Sequence, residues 1–107
     1  MTSNYGVVLV TVASRSQGQK IATALVENKL AACVNLFPIE SIYIWQGKIE
    51  QEQEYQLIVK TDLNKFSELE AKIKTLHDYE VPEIIALPIV EASQSYLNWM
   101  GTSLRSL

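Results

Sequence analysis

Residues 32–60 read ACVNLFPIESIYIWQGKIEQEQEYQLIVK. Two long runs, 32–46 and 48–60, are rich in β-branched and aromatic residues, and such runs read as strands. They meet at Gln46-Gly47. Glycine tolerates the positive φ that tight hairpin turns demand, so the stretch predicts one long hairpin of strands 2 and 3. Upstream, residues 5–13 (YGVVLVTVA) predict strand 1. Between them, Ser14 stands three residues before Gln17, a capping-box pattern that opens a helix. Ile21, Ala24 and Leu25 share its apolar face, and Asn28-Lys29 suit its end. Downstream, Thr61 or Asp62 caps a second helix with Phe66, Leu69, Ile73 and Leu76 on one face. Glu68 with Lys72, and Glu70 with Lys74, are i,i+4 pairs in the favourable order, each worth about 0.3 kcal/mol. Pro82 stops any continuation. Residues 84–90 predict strand 4, and residues 95–100 a short last helix followed by a loose tail.

The order β-α-β-β-α-β with an extra C-terminal helix is the ferredoxin-like α+β plan. It predicts one domain over residues 1–107, with a four-stranded antiparallel sheet in the order 4-1-3-2. Strands 2 and 4 are then the edges. Proline cannot donate to a sheet ladder and belongs on edge strands or at bulges. Pro38 and Pro88 fall in those two strands.

Bulk properties narrow the function. The chain has 107 residues, the length of one domain. Its net charge of −3, with scattered lysines and arginines, lacks the electrostatic footprint of a nucleic-acid binder. Cys33 is the only cysteine, so no intrachain disulfide forms, which fits a reducing compartment. The opening MTSNYG lacks the pattern of a signal peptide. No apolar run approaches the ~20 residues of a membrane helix. A cytoplasmic protein without a membrane partner is expected.

Two helices cover only one face of the sheet. A solvated second face predicts alternation of apolar and polar residues. Instead Val7, Val8, Leu9 and Val10 are consecutive, as are Leu57, Ile58 and Val59, and Ile84, Ile85, Ala86 and Leu87. Large exposed apolar patches mark interfaces, so a homo-oligomer is expected.

Several residues carry possible chemistry. His77 is the only histidine and sits at the predicted end of helix 2, where an imidazolium complements the helix dipole. With Glu80 and Glu83 it also forms an N/O donor set suited to Cu(II) or Zn(II). Cys33 is either a small buried apolar residue or a soft metal ligand. Glu50, Glu52 and Glu54 alternate along strand 3 and share one face, either solvated or a weak site for hard cations. Lys48 and Lys60 flank strand 3, with Tyr43, Trp45 and Tyr79 nearby in the reading; they either snorkel over the sheet edge or line a cleft for a small anion. No glycine-rich phosphate loop, GxSxG elbow or HExxH motif is present, so a binding or sensing protein is expected rather than an enzyme.

Five stretches together carry a resemblance: residues 30–35 (LAACVN), 41–49 (SIYIWQGKI), 60–61 (KT), 77–84 (HDYEVPEI) and 96–99 (YLNW). In this order and spacing the chain resembles the CutA family of divalent-cation tolerance proteins. The resemblance covers residues 5 to about 100. It implies a ferredoxin-like homotrimer similar to the PII signalling proteins, with strands 2 and 3 pairing across subunits and clefts between neighbours. It implies a role in tolerance of copper and other divalent metals, with no obligatory cofactor and no enzymatic activity. The implied cleft positions are Cys33, Trp45, Lys48, Lys60, His77, Tyr79, Glu80 and Glu83. The family usually has proline where this chain has Asp78, which frees the backbone and adds a carboxylate beside the imidazole. The implied function is a divalent-metal protein of metal homeostasis, copper first. The alternative is a PII-like sensor that binds a small anionic metabolite through Lys48 and Lys60. No partner protein other than the chain itself is indicated.

Overall fold

The computed structural model describes residues 4–105. Residues 1–3 and 106–107, which include the end of the expected loose tail, lie outside the described residues. The elements run β1 (Tyr5–Val12), α1 (Arg15–Glu27), β2 (Cys33–Trp45), β3 (Lys48–Asp62), a 3-10 turn (Leu63–Lys65), α2 (Phe66–Leu76), β4 (Ile84–Pro88) and α3 (Gln94–Leu104). The sheet order is β2-β3-β1-β4, the expected order read from the other edge. All three strand pairings are antiparallel. Pro38 and Pro88 therefore both lie in edge strands, where a missing N–H costs no ladder bond.

Local chemistry explains most boundaries. Ser14 caps α1, its hydroxyl accepting the Gln17 N–H at 3.2 Å. Only half of the capping box forms, because the Gln17 amide reaches across to the Leu76 carbonyl at 3.5 Å. Gln46 (φ 51) and Gly47 (φ 79) are both left-handed, as a type I′ hairpin turn requires. Asp62 caps the 3-10 turn rather than α2 itself, accepting from the Asn64 N–H at 2.8 Å. Of the two expected ion pairs on α2, Glu70–Lys74 forms at 3.3 Å; Glu68–Lys72 is absent among the described residues. Strand 4 stops at Pro88, two residues short of expectation, although the Ile89 N–H still bonds the Tyr5 carbonyl at 3.0 Å. The last helix is longer than expected and continues through Gly101 to Leu104.

The core lies between the sheet and α1 and α2. Val8, Val10, Val12, Leu57 and Val59 project from the sheet onto Ile21, Leu25, Leu69 and Ile73, all fully buried. A second, smaller cluster forms under α3, where Met100 and Leu104 pack on Ala32 beside Tyr5, Ile89, Tyr96 and Leu97.

The hairpin outruns the rest of the molecule. β1 pairs with β3 only from Tyr55 onward. Residues 39–45 and 48–54 therefore pair only with each other. This two-stranded ribbon gives the molecule its long dimension, with extents of 46 × 26 × 22 Å. Ile42, Ile44 and Ile49 on the ribbon are 66, 73 and 75 % exposed. Phe37, Ile85 and Leu87 are exposed on the sheet. An isolated two-stranded ribbon is marginal in water, and this one has no further strand of its own chain beside it among the described residues.

Candidate functional site

The ribbon, along its length from residue 41 to Trp45, and the loop after α2 border a cleft of about 760 Å³. β3 contributes Glu50, Glu52 and Glu54, which fall on one face because strand side chains alternate. β2 contributes Ser41, Tyr43 and Trp45. In the antiparallel register Ser41 stands opposite Glu52 and Tyr43 opposite Glu50. The loop contributes Asp78, Tyr79, Glu80, Val81 and Glu83. Six carboxylates thus line the cleft, and no lysine or arginine does.

Two tyrosines hold two of these carboxylates. The Tyr43 hydroxyl donates to Glu52 at 2.5 Å. The Tyr79 hydroxyl donates to Glu54, which is only 5 % exposed. A buried carboxylate needs such a partner. The Glu52 hydrogen bond, with smaller contributions from burial and the surrounding carboxylates, pushes the Tyr43 phenol up to about 12. Burial, then the bond to Glu54, raises the Tyr79 phenol further. Glu83 meets the Gln56 amide at 3.5 Å, which ties the far side of the loop to β3.

His77 follows α2 as its C-cap residue, and its backbone N–H still bonds the Ile73 carbonyl. Its side chain works as a brace. The ring Nδ1 accepts the Tyr79 backbone N–H at 3.0 Å, and Nε2 lies 2.7 Å from the Thr11 carbonyl. Nδ1 as acceptor leaves the proton on Nε2, which then donates to Thr11. The imidazole also stacks, tilted, 4.8 Å from the Tyr79 ring. The histidine thereby orients the loop that carries Glu80 and Glu83. Asp78, beside it, is exposed and lines the cleft. Among the described residues, no three His, Cys, Asp or Glu side chains converge closely enough to hold a metal ion within one chain.

The remaining expected residues separate into two groups. Trp45 and Lys48 face each other at the ribbon tip, while Cys33 and Lys60 face each other at the opposite end of the same strand pair. At ~3.3 Å per residue the two lysines lie roughly 40 Å apart. One chain therefore cannot bring Lys48 and Lys60 to one cleft. Lys60 lies over the Tyr96 ring, 5.8 Å from its centroid, in cation–π geometry. Cys33 is a half-buried free thiol. The reading of spacing missed the Tyr43–Glu52 and Tyr79–Glu54 pairs. The alternation of Glu50, Glu52 and Glu54 opposite Tyr43 was the one available clue.

Known proteins give this geometry a context. The profile of the CutA1 divalent ion tolerance protein family matches residues 6–103. The divalent-cation tolerance protein CutA of Thermus thermophilus is 52 % identical over 95 residues, covering 88 % of this chain and 92 % of that protein. The chloroplastic protein CutA of Arabidopsis thaliana is 46 % identical over 101 residues, covering 94 % of this chain; the chain spans 56 % of that longer protein. The solved structure of the periplasmic divalent cation tolerance protein CutA of Archaeoglobus fulgidus superposes with a TM-score of 0.93 at 40 % identity, covering 94 % of this chain and 99 % of that one. On the profile match, the sequence identity and the shared fold, this chain belongs to the CutA1 divalent ion tolerance protein family.

Proposed function

We propose that this chain acts as a homotrimer that binds divalent cations, copper first, in metal homeostasis, with no catalytic step. The observation that carries this reading is the cleft with six carboxylates and no cationic side chain. Carboxylate oxygens suit divalent cations generally, and Cu(II) heads the affinity order at sites of mixed oxygen and nitrogen donors. The tolerance to divalent cations named for the relatives accords with it. Glu80 and Glu83 supply oxygen ligands from the loop. His77 becomes a nitrogen ligand by giving up its bond to Thr11 or to Tyr79. A neighbouring copy completes the set, with Cys33 as a soft donor from the far end of the hairpin. The exposed isoleucines of the ribbon and the open sheet face supply the surface for that neighbour. The single free thiol suits the cytoplasm.

The alternative, an anion sensor using Lys48 and Lys60, needs lysines from different copies, since one chain holds them at opposite ends. Calorimetric titration of the metal-free protein with Cu(II) and Zn(II) separates the two. The metal reading expects saturable binding that weakens at least about tenfold in Glu80→Gln/Glu83→Gln and in His77→Ala, and persists in Lys60→Ala. Weak, fractional binding indifferent to all three substitutions would defeat it.

A further inference from the structure

Lys65 occupies an electrostatically poor local position. It is the N-cap residue of α2, where the helix dipole disfavours a positive charge. Its ammonium reaches away from that helix and donates twice. One hydrogen bond goes to the Lys29 carbonyl at 3.0 Å and the other to the Leu104 carbonyl at 3.0 Å. Lys29 follows the C-terminus of α1, and Leu104 ends α3. A single cation thus joins the negative ends of two helices far apart in sequence, and charge-assisted bonds of this kind are about twice as strong as neutral ones.

The helix it ties down, α3, packs on a satellite cluster of Ala32, Met100 and Leu104 and not on the main core. Small satellite clusters open locally at lower free energy than the core they flank. Its first turn also holds Tyr96, the ring under Lys60. Ala32, the residue α3 covers, directly precedes Cys33, and Cys33 stands opposite Lys60.

We propose that Lys65 is a charge latch for α3, and that releasing it lets α3 open as a unit while the four-stranded sheet stays intact. Opening removes Tyr96 from Lys60 and uncovers Ala32 beside Cys33. The latch thereby controls the surroundings of the Lys60 end of the hairpin, remote from the acidic cleft. Lys65 acts through α3 and is a positioning residue.

Amide hydrogen exchange on the intact, metal-free full-length protein tests this. The proteins compared are the wild type, Lys65→Met and Lys65→Arg. Loss of the ammonium in Lys65→Met is expected to speed exchange in residues 97–104 by about tenfold or more, with residues 7–12 of β1 unchanged. Lys65→Arg keeps the charge and its donors, and is expected to stay within about threefold of wild type. Unchanged exchange in α3 of Lys65→Met overturns the proposal. So does equal acceleration of α3 and β1, or failure of Lys65→Met to fold, since either makes Lys65 a contributor to global stability. Exchange in Lys65→Arg as fast as in Lys65→Met overturns the role of charge.

Discussion

Tyr43 and Tyr79 each spend a hydroxyl on a carboxylate of the cleft, and this has a consequence in alkali. Both phenols are raised above the ordinary tyrosine value of 10.0. A raised folded pKa means that the protonated phenol is favoured in the folded state. The stabilisation from Tyr43 is therefore complete below pH 10 and disappears as pH rises through about 12. Tyrosinate absorbance should show Tyr43 ionising late, and Glu52→Gln should return it towards 10; an unchanged titration in Glu52→Gln would show that the hydrogen bond is not the cause. Lys29 offers a second residue-scale check. It is a non-glycine residue at φ 60, which is strained for a side chain. Lys29→Gly relieves that strain and adds glycine's entropic cost, and should raise stability by about 0.5–1 kcal/mol in urea unfolding, while its carbonyl still accepts from Lys65. A loss of stability there would mean that the lysine side chain matters more than its backbone.

At the scale of elements, β1 and β4 approach so closely that Gly6 has no room for a side chain. A Cβ there would lie 2.5 Å from the Leu87 carbonyl oxygen and 2.7 Å from Leu63. Gly6→Ala should cost at least about 2 kcal/mol by thermal or urea unfolding, because backbone cannot yield as a flexible side chain can. A near-neutral result would mean that the strands part easily. The strands were the most legible elements. Runs such as VVLV and LIV have no helical spacing, and the prolines marked the edge strands. The expected last helix stops at residue 100, immediately before Gly101. That glycine is retained inside α3 because a Cβ would lie 2.6 Å from the Tyr5 hydroxyl, a tertiary reason invisible in local sequence. The same holds for Lys65, whose two partners lie 36 and 39 residues away. The site was legible in composition but not in assembly. Glu80, Glu83, Trp45 and Tyr79 do meet in the cleft's region, whereas Lys48 and Lys60 part because strand length, not proximity in the list of elements, sets their separation.

The whole molecule is a sandwich with an unsupported ribbon. Its three exposed isoleucines each stand to gain about 1.5–3 kcal/mol on full burial. Replacing Ile42, Ile44 and Ile49 together by threonine should shift the protein towards lower mass in sedimentation while leaving the fold of the main core detectable by circular dichroism. An unchanged assembly would place the interface elsewhere, on the face carrying Phe37, Ile85 and Leu87. On the proposed function, copies of the chain together hold a divalent cation that one copy cannot. The most direct measurement loads metal-free protein with Cu(II), passes it through size exclusion with light scattering, and assays copper in the same peak. The account predicts the mass of three chains carrying a whole-number ratio of copper. A monomeric peak, or a trimer that emerges free of copper, would contradict it.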